Sequence, residues 1–246
     1  LYDAGAAWSE EFELGGAVIA PALRSLGVDS LDRVVISHPD NDHAGGLPGL
    51  LGALPVRSLM LGGRGYEDLP VDRRAEAVAC REGQAWRWEG VEFRVLSPEP
   101  AAGPTGAGAE RNASSCVLHV RAFGLSVLLP GDIERAVERR VARKFAGELA
   151  ADVLIAPHHG SNTSSSYALL KKVSPRLAII SAGYKNAFGH PHTEVLARFR
   201  RLEVSTLQTA SSGMIALELG GSGMDTAPTK HRESARRYWR PRAETL

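Results

Sequence analysis

The chain has 246 residues, of which 43% are hydrophobic and 23% charged, and its formal net charge is +1. These values are ordinary for a globular domain with a substantial core, and the low net charge argues against a uniformly basic nucleic-acid coat. The longest apolar stretches, such as Leu125 to Leu129, are too short to cross a bilayer, and we find no signal peptide.

The two ends of the chain carry their own predictions. The opening Leu1–Gly5 has the character of a strand end, which suggests a piece of a longer polypeptide. We predict a main domain over residues 1–220 and a basic tail over residues 221–246. The tail is either a solvated segment or a contact to a phosphate backbone, and both interpretations stay open. Its basic residues are Lys230, Arg232, Arg236, Arg237, Arg240 and Arg242.

Strand and helix patterns alternate along the chain, which predicts an α/β fold. Apolar, β-branched or alternating runs predict strands at 33–37, 56–61, 86–88, 91–95, 117–121, 125–129, 152–156, 177–181, 204–208 and 214–219. Helical spacing predicts helices at 18–26, 133–145, 167–173 and 193–202, with Thr193 as an N-cap. Residues 98–109 are rich in Pro, Gly and Ala and predict an exposed loop. Two mixed sheets with helices outside accommodate this pattern.

Two side-chain types outside the main motif lead to structural predictions. Cys80 and Cys116 are widely separated and make no disulfide framework. Cys116 lies in the apolar run Cys116-Val117-Leu118, and we predict that it is a small core residue. Trp86, Trp88 and Tyr184 could stack on nucleobases, but hairpin packing is the expected role of the two tryptophans.

The strongest chemical signal is the segment Ser37-His38-Pro39-Asp40-Asn41-Asp42-His43-Ala44-Gly45-Gly46. It directly follows the buried strand at 33–37 and places four potential metal ligands within six residues. Clustered imidazoles and carboxylates at a strand end are typical of a metal site, because a loop lets ligands converge without disrupting the sheet. One His-x-Asp pair and one Asp-His pair can bind different ions.

This HxDxDHxGG segment resembles the metallo-β-lactamase superfamily motif, with Asp40 where the commoner form has His. The resemblance continues through Leu128–Asp132 (LLPGD) and Asp152–Ser161 (DVLIAPHHGS) and covers residues 1–219. Further segments are similar to the C-terminal domain of the ComEC family of bacterial DNA-uptake channels. They are Asn112–Leu118 (NASSCVL), Ser164-Ser165, Ile179–Gly183 (IISAG), Asn186, Phe188–His192 (FGHPH) and Ala235–Trp239 (ARRYW).

The resemblance implies an αββα sandwich with a two-metal site. His38 and Asp40 would bind one metal, Asp42 and His43 the other, and Asp132 would bridge the two. One of His158 and His159 would complete the second site, with His159 favoured. Many family members supply a further His to the first metal, whereas this chain offers Asn112, Ser114 and Ser115 there; His119 is interpreted as a structural strand residue.

The resemblance also implies a nuclease that degrades single-stranded DNA during natural transformation, namely the strand that is not imported. The domain would face the periplasm, tethered to an inner-membrane channel polypeptide without inserting into the membrane itself. Asp42, Asp132 and His190 are the predicted catalytic residues. The substrate-binding candidates are Asn112, Ser114, Ser115, Ser161, Asn162, Ser164, Asn186, His190 and His192.

The chemistry of the predicted ligands favours manganese over zinc, because oxygen-rich sites suit harder ions; zinc is the alternative. Two other functions stay open. The fold also hosts hydrolases of small phosphodiesters or esters, and a thin first metal site is compatible with a non-catalytic DNA-binding module.

Overall fold

The computed structural model describes residues 1–9, 11–64, 66, 75–99, 109–218 and 228–234. The chain forms two compact units. The first comprises Leu1–Gln84 and Val95–Val117, and the second comprises Ala85–Arg94 and the chain from Leu118 onward. Most of the basic tail lies outside the described residues, so the domain boundary at residue 220 stays a prediction.

The strands are β1 (Leu31–Ile36), β2 (Val56–Leu61), β3 (Glu76–Ala79), β4 (Ala85–Trp88), β5 (Val91–Ser97), β6 (Val117–Ala122), β7 (Leu125–Leu129), β8 (Val153–Ile155), β9 (Leu177–Ile180), β10 (Ser205–Gln208), β11 (Ile215–Ala216) and β12 (Thr229–Lys230). The α-helices are α1 (Ala20–Ser25), α2 (Asn41–Ala44), α3 (Leu47–Ala53), α4 (Ala109–Ala113), α5 (Arg135–Lys144), α6 (Tyr167–Val173), α7 (Thr193–Arg201), α8 (Thr209–Ser212) and α9 (His231–Ser234). A π-helix spans Gly15–Ile19 and a 3-10 turn spans Pro157–Gly160. Over the described ranges, no helix has the length and apolar character needed to span a membrane.

The first unit is built on a parallel sheet in the order β1-β2-β3. Tyr2 adds a parallel bridge to Val35, which brings the N-terminal segment alongside β1. The buried core includes Ile36 from β1, Leu59 from β2 and Leu50 from α3. This core anchors β1, so the segment that follows it starts from a fixed point.

The second unit contains a mixed seven-stranded sheet in the order β10-β9-β8-β7-β6-β5-β4. Strands β7, β8, β9 and β10 are parallel neighbours, whereas β6 and β7 form an antiparallel hairpin, as do β4 and β5. Because parallel strands end at the same edge of a sheet, the segments after β7, β8 and β9 emerge together. Ligands in α/β sheets bind at this carboxyl edge.

Several sequence predictions need correction. The N-cap of α7 is His192, whose Nδ1 accepts from the Glu194 amide at 3.2 Å, and not Thr193. The predicted helix at 18–26 is a π-helix followed by α1, and the predicted strand at 214–219 is shortened to β11. Ala109 begins α4, and residues 100–108 of the predicted loop lie outside the described residues.

The tryptophan prediction is confirmed. Trp86 stacks on Phe93 with ring centroids 5.0 Å apart, and Trp88 meets Phe93 edge-on at 5.3 Å. Both tryptophans therefore pack within the β4–β5 hairpin. Tyr184 remains 47% exposed.

Candidate metal centre

The first unit brings together the four ligands predicted from the segment after β1. His38 and His43 are buried, and their ring centroids lie 4.2 Å apart. Asp40 is half-buried and Asp42 is exposed in the short helix α2. His38 Nε2 lies 3.6 Å from Asp40 Oδ2, and His43 Nε2 lies 3.8 Å from Asp42 Oδ2. Each imidazole therefore directs its Nε2 atom towards a carboxylate of the same segment.

Asp3, which was not among the predicted site residues, orients this segment. Its Oδ1 accepts from the Ser37 amide at 2.6 Å, and its Oδ2 accepts from Ser37 Oγ at 2.9 Å. Asp3 Oδ2 also lies 2.7 Å from His43 Nδ1. An Nδ1–H that donates to a carboxylate fixes the tautomer in which Nε2 carries the lone pair, as in histidines that bind metals. The sequence signal that could have revealed this role of Asp3 was the strand-like character of Leu1–Gly5, because that segment lies beside β1.

The backbone at Cys116 and at Gly62 lies against Ser37, the residue that precedes His38. The Cys116 amide donates to the Ser37 carbonyl at 2.8 Å. A side chain at Gly62 would place its Cβ 1.8 Å from that carbonyl oxygen, so only glycine fits there. Cys116 forms a disulfide with Cys80, with a Cα–Cα distance of 5.9 Å. Cys116 is fully buried, as predicted for a core residue, but its bond to Cys80 was not foreseen, because spacing in the sequence did not reveal that these cysteines meet.

Helix α4 contributes an unpredicted charge. Arg111 Nη1 lies 3.3 Å from Asp40 Oδ1, and its guanidinium is largely exposed. Of the predicted substrate-binding residues here, Ser115 is buried, Asn112 is half-buried, and Ser114 Oγ donates to the Arg111 carbonyl at 2.6 Å. Arg111 is thus a cation at this site that a search for imidazoles and carboxylates did not consider.

The second unit brings together Asp132 and the paired histidines. Asp132 follows β7 and is 4% exposed, while His158 and His159 lie in the 3-10 turn after β8. His158 Nε2 lies 3.7 Å from Asp132 Oδ2, and His159 Nε2 lies 3.6 Å from the same oxygen. Both histidines adopt positive φ values, 50° and 52°, so both side chains turn towards Asp132 from consecutive positions.

The Nδ1 atoms of these two histidines have different neighbours. His159 Nδ1 lies 2.8 Å from the Ser181 carbonyl oxygen, so Nδ1–H donates and Nε2 is the acceptor atom facing Asp132. His158 Nδ1 lies 3.3 Å from Thr163 Oγ1 and 3.4 Å from Glu134 Oε1. A backbone carbonyl or carboxylate at Nδ1 is the usual support of a metal-binding imidazole, so both histidines suit that role.

A buried charged network holds the loop after these histidines. The Glu138 carboxylate is fully buried and accepts from the amides of Ser165 at 2.6 Å and Ser166 at 2.8 Å. Arg198 donates to the Ser164 and Ser165 carbonyls at 2.8 and 3.0 Å. Burial raises the pKa of Glu138, while the two amide hydrogen bonds and the charge of Arg198 oppose that rise.

This loop contains three of the predicted substrate-binding residues. Asn162 is exposed and its Oδ1 accepts from Arg198 Nη2 at 3.0 Å. Ser161 Oγ lies 3.1 Å from Thr163 Oγ1. Ser164 is fully buried and donates to the Pro157 carbonyl at 2.7 Å, which favours a structural role for its hydroxyl.

His190 and His192 approach the paired histidines from the segment before α7. Gly160 lets this segment come close, since a Cβ there would lie 2.7 Å from the Pro191 side chain. The ring centroids of His190 and His158 are 6.0 Å apart. Burial, and then the neighbouring His158 and His159, lower the pKa of His190, so its imidazole is neutral at pH 7. Because His192 Nδ1 caps α7, only its Nε2 atom remains for another ligand.

His119 agrees with its interpretation as a strand residue. It is 3% exposed in β6, and its Nε2 lies 3.1 Å from the Ala150 carbonyl oxygen. Burial and the nearby Arg121 lower the pKa of His119 to about 4. The imidazole is therefore neutral, and its Nε2–H donates to backbone.

The ligand chemistry of both units fits divalent cations. Each unit combines imidazole Nε2 atoms with carboxylate oxygens at 3.6 to 3.8 Å, so the nitrogen and oxygen atoms already converge in each set. In each unit one imidazole is also held through Nδ1 by a hydrogen-bond acceptor, Asp3 for His43 and the Ser181 carbonyl for His159. Such sets suit zinc or manganese.

The sequence matches the Metallo-beta-lactamase superfamily over residues 1–184. It is 37% identical over 206 residues to Competence protein ComA of Neisseria gonorrhoeae, covering 84% of this chain and 28% of that protein. It is 36% identical over 220 residues to ComE operon protein 3 of Bacillus subtilis, covering 85% and 27% of the two proteins. Recombination protein 2 of Haemophilus influenzae is 38% identical over 219 residues, with 87% and 25% covered. The chain thus spans about a quarter of the length of these curated relatives.

Solved structures show the same fold at low identity. A variant of the CmlA beta-hydroxylase aligns with a TM-score of 0.50 and 10% identity, covering 73% of this chain and 43% of that chain. The chain belongs to the metallo-β-lactamase superfamily, and its relatives include competence proteins of the ComEC family. The α/β fold class predicted from the sequence is thereby confirmed.

Proposed function

We propose that this superfamily member is a metal-dependent nuclease that hydrolyses phosphodiester bonds of single-stranded DNA. The observation that carries the proposal is the repeated ligand arrangement: in both units, imidazole Nε2 atoms face carboxylates. Similarity to Competence protein ComA supports DNA as the substrate, since competence is the capacity of a cell to take up DNA.

We assign the metal ligands of two divalent ions residue by residue. His38 and Asp40 serve one ion, and Asp42 and His43 serve the other. Asp132 would supply a carboxylate to both ions, and His159 would complete the second site, since its Nδ1 is held by a backbone carbonyl. His158 is the alternative. Manganese is the favoured ion because Asp40 adds a hard oxygen ligand.

When bound by these residues, two divalent ions would supply positive charge that lowers the pKa of a water molecule and offsets the charge of the phosphate. Water adds to phosphorus, the bond to the leaving oxygen breaks, and that oxygen takes a proton. Asp42 and Asp132 contribute the carboxylates that hold the reacting groups in line. His190 has a neutral imidazole whose Nδ1 is buried and has no hydrogen-bond partner among the described residues. With Nδ1 enclosed, the N–H at Nε2 would hydrogen-bond a phosphate oxygen or the leaving oxygen.

The proposed setting is DNA uptake, where the enzyme degrades the strand that is not imported. The domain would act on the periplasmic face of the inner membrane, joined to the channel polypeptide. The Cys80–Cys116 disulfide supports that placement, because disulfides persist in oxidising compartments and are rare in the cytosol.

The test is cleavage of end-labelled single-stranded DNA by metal-stripped protein after manganese, magnesium or zinc is added back. Asp132→Asn removes the bridging charge while keeping the shape, and Glu194→Gln, on the exposed first turn of α7, is the matched control. We expect cleavage with manganese. The cleavage rate should fall at least about 100-fold in Asp132→Asn, because losing a group that stabilises the transition state electrostatically has an effect of this size. The rate should not change in Glu194→Gln.

Other outcomes would assign the domain differently. Hydrolysis of bis(4-nitrophenyl) phosphate without DNA cleavage would indicate a small-phosphodiester hydrolase. DNA binding that survives in Asp132→Asn, with no cleavage by the parent under any metal, would indicate a binding module. Activity with zinc alone would refute the preference for manganese.

A further inference from the structure

The loop between β9 and α7 presents an exposed aromatic side chain beside His190. We call residues 183–190 the aromatic loop. Asn186 braces it: Nδ2 donates to the Gly183 and His190 carbonyls at 3.0 and 2.6 Å, and Oδ1 accepts from the His190 amide at 2.9 Å. This single side chain connects the start of the loop to its end, which restrains the backbone that carries the side chains between them.

Phe188 is the most exposed large hydrophobic side chain in the described part of the chain, at 80%. One exposed apolar residue is ordinary by itself. Phe188, however, stacks on His190 with ring centroids 5.8 Å apart and an interplanar angle of 23°. His190 in turn packs edge-on against His158, whose Nε2 lies 3.7 Å from Asp132. The rings form a row that leads from solvent to the candidate catalytic carboxylate.

The charge of the aromatic loop is positive at its exposed surface. Lys185 places its Nζ 5.4 Å from the centroid of the Tyr184 ring, and both side chains are exposed. Aromatic faces beside cations are the combination by which proteins bind single-stranded nucleic acid: bases stack on the rings while cations follow the phosphates. A protein partner would require a broad apolar patch, whereas this loop offers one open ring face flanked by charge.

We propose that Phe188 is a stacking platform for an unpaired nucleobase next to the phosphodiester at Asp132, and thereby a specificity residue for single-stranded DNA. The proposal rests on the proposed nuclease function and extends it to strand selection. In a duplex, both faces of each internal base are already stacked, so the Phe188 face is accessible to an unpaired or frayed base only. The platform therefore favours single strands without reading the sequence.

The experiment measures DNA binding and small-substrate hydrolysis separately. Binding is followed by the fluorescence of 2-aminopurine in a single-stranded oligonucleotide, in an Asp132→Asn background that keeps the DNA intact. Phe188→Ala is compared with Phe188→Trp. Phe123→Ala is the matched control, since Phe123 is 63% exposed in the β6–β7 hairpin at the opposite end of β7 from Asp132. We expect about 10-fold weaker binding for Phe188→Ala, and parental binding for Phe188→Trp and for the control.

Two further measurements make the stacking claim specific. A set of oligonucleotides is prepared, each with one abasic nucleotide at a different position. At one of these positions, the parent and Phe188→Ala should bind with equal affinity. Hydrolysis of a short deoxyribose phosphodiester that carries neither bases nor an aromatic leaving group should be unchanged by Phe188→Ala in the otherwise native protein, because nothing in that substrate can stack on Phe188.

The outcomes separate this proposal from the proposed function. Equal DNA binding by parent and Phe188→Ala overturns the platform, as does an equal deficit on every abasic strand. If Phe188→Ala loses small-substrate hydrolysis to the same extent as DNA binding, Phe188 acts by supporting His190, and the stacking proposal is again overturned. If the parent hydrolyses no phosphodiester under any metal, the nuclease assignment fails, yet the binding comparison still decides whether Phe188 stacks on DNA.

Discussion

Replacing Asp3 by Asn should weaken metal binding at His43 although Asp3 itself is not a predicted ligand. The Asp3 carboxylate accepts three hydrogen bonds, from the Ser37 amide, the Ser37 hydroxyl and His43 Nδ1, at 2.6, 2.9 and 2.7 Å. Asn has the same shape but only one accepting oxygen. If that oxygen keeps the Ser37 amide, the NH2 group faces His43 Nδ1, which must then accept a hydrogen bond.

The change of tautomer determines the size of the effect. When Nδ1 accepts, the ring proton moves to Nε2, the atom that we propose binds the metal. Loss of such an outer hydrogen bond to a ligating His costs about 10- to 100-fold in metal affinity, which corresponds to about 1.4 to 2.7 kcal/mol. We expect Asp3→Asn to fall in this range for the ion held by His43.

The assay is competition for manganese or zinc between the protein and a chromophoric chelator. Asp29→Asn, an exposed carboxyl of the same unit, is the control and should bind as the parent. The tautomer is read independently from the imidazole nitrogen resonances of metal-free protein. An affinity loss below 2-fold, or unchanged nitrogen resonances of His43, would refute the proposed action of Asp3.

Two other predictions concern stability. His119 has a folded pKa of about 4, below its ordinary 6.5, so the unfolded chain binds the extra proton first; stability is full above about pH 6.5 and falls towards pH 4 by about 3 kcal/mol. Urea unfolding of parent and His119→Gln from pH 7 to pH 4 measures the difference, and parallel curves would contradict the assignment. The Cys80–Cys116 disulfide spans 36 residues, so loop closure predicts that Cys80→Ala/Cys116→Ala loses about 4 kcal/mol. A double variant as stable as the parent in urea would show that the bond contributes little.

The sequence was sufficient to predict most of the strands, because the pattern of side chains that marks a strand lies within the strand itself. Val34 and Ile36 in β1, and the apolar run at 125–129, carry their burial in their own side chains. The short strand β3 lacked such a signal, since its residues are mostly exposed. Helix α3 was not predicted because Gly49 and Gly52 lower the helical propensity of its sequence. Gly49 is needed for packing, since a Cβ there would lie 1.7 Å from the Glu13 carboxylate.

The parts of the candidate site that escaped prediction are those set by distant contacts. The motif at 38–43 identified ligand types, but nothing local indicates that Asp3 reaches His43 or that Arg111 reaches Asp40. The disulfide likewise joins cysteines whose approach depends on how residues 80 and 116 return to the same place.

Both sets of candidate metal ligands are positioned by the same three structural features. A buried strand fixes where the ligand loop begins: β1 leads to His38 and β8 leads to His158. A tight turn then aims neighbouring side chains the same way, by helix α2 in one case and by left-handed backbone in the other. Acceptors at Nδ1, the Asp3 carboxylate and the Ser181 carbonyl, orient His43 and His159 before any metal binds. Because this orientation is established during folding, its entropic cost does not fall on metal binding, and the affinity should depend on these acceptors nearly as strongly as on the ligands.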